Sequence, residues 1–399
     1  MRAYVIASGT HIAPFGDPVA DIPIGDATLR ETQDRLFAKL GLQVVRVDSA
    51  DDIPQDEDRI VTWDDVYFTR RVLKDFLKRW KRDRTVRLAL PIDSTFFAQF
   101  SWHQDVDIAD GLAMYRFYGA PRGQGLDAAA PLGVIYEERR IEVRVPHFVN
   151  EQGIWVHPLT SSVCLHVRHW VHVLDASRLA VQVKWVDQIV GAPWWGAWVL
   201  VKALLFRRGR MLWRVMSAAN RFGRDVDVHP TARVEGAFLG DGVRVGAQAL
   251  VRGSIVGAGT VIEDRANVAY STIGADCFVS KYTLIYNSAV MDGTNAGMSM
   301  QMCLAGRRAA LTPRATPTDT LGGSKIKVRV GDEFVEVPHD VLGSCFGHDT
   351  FIGPDVFVAP GRELPNGLKL YPAPGRVLAK IPEQIDPSRS YVVRDGTIE

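Results

Sequence analysis

One feature restricts the fold of this chain more than any other: an apolar residue that returns every five or six positions. It occupies Val228, Val234, Leu239, Val245, Val251, Val256, Ile262, Val268, Ile273, Val279, Leu284 and Val290. The beat resumes at Phe346, Ile352, Val358, Leu364 and Leu370, six apart each time. Glycine often follows the apolar residue, as in Leu239-Gly240, Val245-Gly246, Val256-Gly257, Ile273-Gly274 and Ile352-Gly353. A helix repeats about every 3.6 residues and a strand about every two, so neither sustains this spacing. A short strand followed by a tight corner does. Three such sides close one coil, whose inward apolar residues stack on the coils above and below. An ordinary β-sandwich with chance spacing is the alternative, and persistence over a dozen units argues against it.

The pattern resembles the hexapeptide-repeat, left-handed parallel β-helix family. At 399 residues the chain is too long for one ordinary core, so the coils are expected to share it with a second domain. A formal net charge of +1 argues against nucleic acid as a partner. Cys164, Cys277, Cys303 and Cys345 are scattered, with no Cys-x-x-Cys pair. That favours a reducing compartment, and a cytoplasmic location is expected. The apolar run at 3–7 is too short for a signal-peptide core. The uncharged stretch 188–201 falls short of the roughly 20 residues a spanning helix needs.

Ahead of the repeats, residues 1–7 predict a buried strand and 8–27 a loop rich in Gly, Pro and Asp. Residues 28–40 carry a helical pattern, with Thr28 as N-cap, Glu31 three residues on and Gly41 as the stop. Strands follow at 43–47 and 59–62, the latter running into Asp64-Asp65, and 69–82 reads as a second helix. This order predicts an α/β layer with a mostly parallel sheet. Ligands of such sheets bind beyond the carboxyl ends of the strands, where the 8–27 loop and Asp64-Asp65 both lie. Further strands are expected near 86–92, 132–136 and 140–146, a Gly-rich loop at 119–126, and a helix over 162–183.

Residues 4–25, YVIASGTHIAPFGDPVADIPIG, resemble the signature of sugar-phosphate nucleotidylyltransferases. The matching elements are Ala7, Gly9-Thr10, Pro14, Pro18 and Pro23-Ile24-Gly25, and IVTWDDVYFT around Asp64 resembles the family's second strand end. The resemblance implies a Rossmann-like nucleotidyltransferase domain in which Ala7, Gly9 and Thr10 hold nucleotide phosphates through the backbone. It further implies that Asp65 binds Mg²⁺, with Asp187 as a second carboxylate ligand. Three positions depart from the family. His11 stands where an arginine holds the transferring phosphates, Val19 where a lysine follows the proline, and Asp64 where a glycine precedes the metal aspartate. His11 is assigned the role of the missing arginine. Losing two fixed cations matters, because phosphoryl-type transfer is catalysed largely by positioning and charge neutralisation.

A β-helix after such a domain is also a family arrangement, and the resemblance implies a homotrimer. In bifunctional relatives, a histidine after an Asn-Ser-x-x-Met-Asp-x-Thr segment is the general base for acetyl transfer. Here Asn287-Ser288-Ala289-Val290-Met291-Asp292-Gly293-Thr294 matches, but Met298 holds the expected histidine position, and methionine takes no proton. Met298, Met300 and Met302 alternate as on a packed strand face, and His348 is read as a structural histidine of the later coils.

Cys164, His166, His169 and His172 invite a metal reading, although only His169 and His172 would share a helical face. Residues 187–224 form a connector. From 193 onward it carries Trp194, Trp195, Trp198 and Trp213, together with Lys202, Arg207, Arg208, Arg210, Arg214, Arg221 and Arg224, and no acid. Two readings stand for it: a pair of helices burying Trp and Leu against the coils, or peripheral contact with a membrane. The repeats are expected to be interrupted at 293–340 by a loop with a short hairpin at 325–337, and the 379–399 tail to pack on the last coil.

The expected organisation is thus 1–186 nucleotidyltransferase-like, 187–224 helical connector and 225–399 β-helix. Three functions are carried forward. The first is a divergent enzyme joining NTP and sugar 1-phosphate into NDP-sugar and pyrophosphate. The others are a non-catalytic scaffold or regulatory trimer that binds a nucleotide or sugar phosphate, and a β-helix acyltransferase.

Overall fold

The computed structural model describes residues 1–127, 129–206, 211–373, 375, 378, 388–395 and 397–398, without the side chains of 190, 191, 206, 212, 213 and 398. Arg207, Arg208, Arg210, the side chain of Trp213 and most of the 379–399 tail therefore lie outside the described residues.

The first domain is built on β1 (Arg2–Ile6), flanked in parallel by β2 (Gln43–Val47) and β3 (Arg59–Trp63). After β4 (Val66–Phe68) and helix α2 (Arg70–Arg79) come β5 (Val86–Pro91), α3 (Thr95–Phe100), β6 (Leu112–Ala120) and β7 (Ala130–Gly133). The sheet order is β7-β5-β6-β3-β1-β2. Strand β6 runs antiparallel to both neighbours, so the sheet is mixed. Helix α1 (Leu29–Lys39) starts on the expected capping box: Thr28 Oγ1 accepts the Glu31 N–H and Glu31 returns the bond to the Thr28 N–H. Such a cap stabilises a helix start by about 1 kcal/mol.

Alternation in β6 divides the sheet into two faces. Ala113, Tyr115 and Phe117 point into the main core, where Phe117 meets Phe37 of α1, Phe68 of β4 and, edge-on at 5.1 Å, Phe76 of α2. On the other face Tyr4, Ile6 and Val61 are covered by Trp63, Tyr118, Ile53 and Leu126. A cavity of about 620 Å³ lies between the first domain and the coils, and another of about 460 Å³ opens over Val61, Trp63, Arg87 and Tyr118.

Strand β6 was not anticipated, although its burial alternates from Leu112 to Gly119. The predicted helix over 162–183 is a strand and then a helix. Strand β10 (Cys164–His166), which follows the hairpin β8 (Arg139–Arg144) and β9 (Ile154–Leu159), pairs with β4. Helix α4 (Trp170–Gly191) begins only at His169, whose ring caps the Val171 N–H. The expected domain boundary at 186 falls inside α4, which continues through α5 (Pro193–Phe206) and α6 (Met211–Ala218) into the coils.

The coils form a parallel β-helix. Strands follow one another around three sides, and each pairs with the strand one coil on: Phe238 with Ile255, Arg244 with Val261, Leu250 with Asn267. The small residue after each apolar one has a steric cause. A Cβ on Gly257 would lie 2.5 Å from the backbone nitrogen of Ala275 in the next coil, and one on Gly240 2.7 Å from that of Ala258. The interruption is shorter than expected. Coils continue through Thr316–Pro317 and resume at Cys345–Phe346, leaving only the segment that carries the Lys327–Val330 and Glu333–Glu336 hairpin. The sequence hid these coils because one turn is two residues shorter, pairing Ala289 with Leu304. Their inward positions also hold Ala296, Met298, Met300 and Ala305 in place of β-branched residues. All four cysteines are buried and free.

Helix α4 works as a strut along the coils. Trp185 Nε1 donates to Gly236 O near their start, and Trp170 Nε1 donates to Glu363 in the last coils, both at 3.0 Å. Between them, buried Asp175 holds Arg178 on its own helix and His339 from the inserted segment.

Candidate functional site

The carboxyl ends of β1 and β3 bring the loop 7–11 beside Asp64 and Asp65. Ala7 N–H donates to Val47 O at 3.0 Å, and Ser8 N–H donates to Asp64 Oδ1 at 2.9 Å. Ser8 Oγ accepts the Thr10 N–H at 3.2 Å, and the exposed His11 turns its Nδ1 back to Gly9 O at 3.1 Å. Gly9 takes a positive φ of +66° in this loop. Three of its amides, those of Ala7, Ser8 and Thr10, are already satisfied by the protein, one of them by a carboxylate. Asp64, where the family resemblance places a glycine, is the residue that does this.

Asp65 has no solvent exposure. Its Oδ2 accepts from Arg116 Nη2 of β6 and, at 3.3 Å, from Arg168 Nε just ahead of α4. Arg168 also donates to Asp105 at 2.8 Å, and Arg116 lies over the Trp63 ring at 5.4 Å. Oδ1 of Asp65 is buried without a partner. Burial pushes the Asp65 carboxyl above its ordinary range, against the pull of the two guanidinium groups. The guanidinium groups stay charged throughout and favour the ionised carboxylate, while burial opposes it.

Asp187 stands elsewhere. It lies on α4, where burial raises its carboxyl and the neighbouring charges are Lys39 at the end of α1 and Arg70 at the start of α2. The charges acting on Asp65 are instead those of Arg116, Arg168 and Asp64. The structure thus sets the 7–11 loop beside the Asp64-Asp65 pair, while Asp187 is carried on α4. A hydrated magnesium ion asks for oxygen ligands in octahedral array and retains several waters. A fully enclosed carboxylate with one oxygen on two guanidinium groups does not fit that requirement. Among the described residues, no group of three His, Cys, Asp or Glu side chains could hold a metal.

The loop is also pinned from the coils, which sequence reasoning missed. Asp17 Oδ2 receives Arg307 Nη1 and, at 3.1 Å, His348 Nε2. Asn366 donates to Phe15 O at 2.7 Å, and Phe15 packs on the His348 ring at 4.9 Å. His348 Nδ1 accepts the Arg307 N–H, so neither ring nitrogen is left for proton transfer.

The histidines near Cys164 are staples. His166 Nδ1 donates to Gln104 O while Nε2 accepts the Arg116 N–H. His172 Nε2 donates to Trp102 O while Nδ1 accepts the Arg168 N–H. His169 caps α4 and donates to Arg329 O. Burial lowers both His166 and His172 to about 3. Two of these rings therefore hold the backbone of Arg116 and Arg168, the residues that grip Asp65. Alternation in LAMYRFYGA could have placed Arg116 and Tyr118 on one face in advance; no local pattern marks Arg168.

No protein-family model matches the chain, and a search of curated proteins found no match.

Proposed function

We propose that the protein is a non-catalytic scaffold in which a nucleotidyltransferase-like domain, its transfer site closed, is fixed to a β-helix that serves as an assembly module. The observation that carries this reading is Asp65, fully enclosed with Arg116 and Arg168 on one oxygen. Nucleotidyl transfer in the resembling family relies on a carboxylate-bound metal at the phosphates, and an aspartate already neutralised by two guanidinium groups is a poor ligand. The Asp64 carboxylate on the Ser8 amide, and the bonds from Arg307, His348 and Asn366 to the loop, support the same reading. Acyl transfer is not adopted, because Met298 is buried in the coil core and His348 is fully bonded. The left-handed sense of the coils and the homotrimer follow from the resemblance, and sedimentation velocity tests the trimer.

The deciding experiment is a pyrophosphate-release screen with the common NTPs, sugar 1-phosphates and Mg²⁺. No turnover is expected, for the wild type and Asp65→Asn alike. Turnover that disappears in Asp65→Asn would overturn the scaffold reading. It would restore the divergent enzyme, with Arg116 and Arg168 as the cations standing in for those absent from the signature.

A further inference from the structure

Helix α5 presents the wrong side of itself to water. Among its described side chains only Trp195, Val199 and Ala203, four residues apart, are buried, packing with Trp185, Ala218 and Ala219. Trp195 lies 5.7 Å from the Trp185 ring and under the Arg221 guanidinium. Its other described side chains face outward, and all but Lys202 are apolar. Trp194, Trp198, Val201 and Leu205 form one exposed stripe at helical spacing, with Leu200 and Leu204 beside it. Trp194 is 71% exposed and Leu205 70%. A contiguous apolar face of this kind on a soluble chain marks a docking surface.

We infer that this face docks on the surface of an anionic lipid bilayer, with α5 lying in the plane of the interface. Three observations select that occupant. The exposed residues are of the type that settles in an interface, with two tryptophans at one end of the stripe and aliphatic side chains along it. Charge is complementary: residues 193–224 contain seven Lys or Arg and no acid, and of these Arg224 is paired with Asp241 and Arg214 is bonded to α5 carbonyls. Lys202 is exposed beside the Trp198 ring at 5.5 Å, and Arg207, Arg208 and Arg210 follow Leu205 within a few positions of the sequence. Length excludes spanning: a 14-residue helix is about 21 Å long, against a hydrocarbon core of about 30 Å. No helix among the described residues is long and apolar enough to cross a membrane.

The helix is held rigidly for this role. Arg214 of α6 donates to Ala203 O at 2.7 Å and Leu204 O at 2.6 Å, filling two carbonyls at the carboxyl end of α5. The outward stripe is therefore presented by a braced helical pair, and the surface does not depend on whether the first domain turns over nucleotides.

The test uses the full chain and flotation with phosphatidylcholine vesicles, with and without phosphatidylglycerol. Wild-type protein is expected to float with the anionic vesicles about tenfold more than with neutral ones, less so at high salt, and with a blue shift of tryptophan emission. The triple variant Trp194→Ser, Trp198→Ser, Leu205→Ser should lose flotation while keeping its thermal melt. The pair Phe357→Ser, Tyr371→Ser, which removes exposed aromatics from the coils, should float like wild type. Absence of wild-type binding to anionic vesicles at low salt overturns the inference, and so does equal binding by the triple variant. A wild-type assembly that dissociates only in the triple variant, without vesicles, also overturns it, since the stripe would then join copies of this chain.

Discussion

The coils and the loop cluster around Asp65 use the same short-range chemistry in opposite ways. In the coils a residue's partner lies a fixed distance away, so the same contact is made many times: Val245 over Ile262, Ile262 over Val279. At Asp65 every partner is used once. Arg116 arrives from 51 residues away and Arg168 from 103, each positioned by a histidine that bonds its backbone. Repetition spreads stability over many similar contacts, whereas the cluster concentrates it in a few buried charges. The two regions should therefore respond differently to the removal of one group.

The largest difference is expected from deleting a carboxylate. Asp65→Ala leaves two guanidinium groups facing a buried vacancy. Breaking a buried ion pair from one side costs about 3–5 kcal/mol. Denaturant titration should show a loss of that size, most of it restored when Arg116→Met and Arg168→Met are added. The matching coil variant, Arg224→Ala, removes an exposed corner pair with Asp241 and should leave the midpoint where it was. Equal losses in the two variants would erase the distinction.

Acid should separate the regions next. His166 and His172 are held neutral in the first domain at about 3, against an ordinary value near 6.5. The unfolded chain thus takes up protons that the folded chain refuses as pH falls below 6.5. Their stabilisation is complete above that value and is lost progressively down to the folded values. Between pH 7 and pH 5 each histidine should cost about 2 kcal/mol. Asp65 acts in the opposite sense, because its raised carboxyl favours the folded state on protonation, so the net loss is smaller than the sum. Hydrogen exchange at pH 5 should show α4 and β6 losing protection before the coils do. Coils that open first would show that the buried histidines are not the weak point.

The same contrast decides what could be read in advance. The coil architecture was legible because steric exclusion repeats, and a repeated constraint leaves a periodic trace. It faded only where Ala296, Met298 and Met300 replaced branched residues and one coil lost two residues. The α1 cap, the parallel trio β1, β2 and β3, and the inserted hairpin each announced themselves through local chemistry. In the site, the loop and Asp65 were found because they lie together at strand ends. Their meaning was not, because it depends on Arg116, Arg168, Arg307 and His348, whose approach is set by tertiary packing. Asp187 lies on α4, and the direction it faces there is not written locally either.

A single added methyl group gives the smallest and most selective test, since two glycines need their lack of a side chain for different reasons. At Gly257 the obstacle is external: a Cβ would press on the backbone of Gly274 and Ala275, both at 2.5 Å, and neither can turn aside. At Gly9 the obstacle is internal: φ is +66°, but nothing lies within 4 Å of a Cβ placed there. Gly257→Ala should cost about 2–3 kcal/mol, as overpacking against a rigid neighbour does. Gly9→Ala should cost about 1 kcal/mol, the expense of a left-handed alanine. In a working phosphate cradle the open space over Gly9 is where the ligand's oxygens come, so the methyl group would weaken nucleotide binding well beyond its effect on stability. In the closed loop proposed here it should change the melt slightly and nucleotide titrations not at all. A nucleotide affinity that falls on Gly9→Ala would show that the loop still receives phosphate despite the carboxylate on the Ser8 amide.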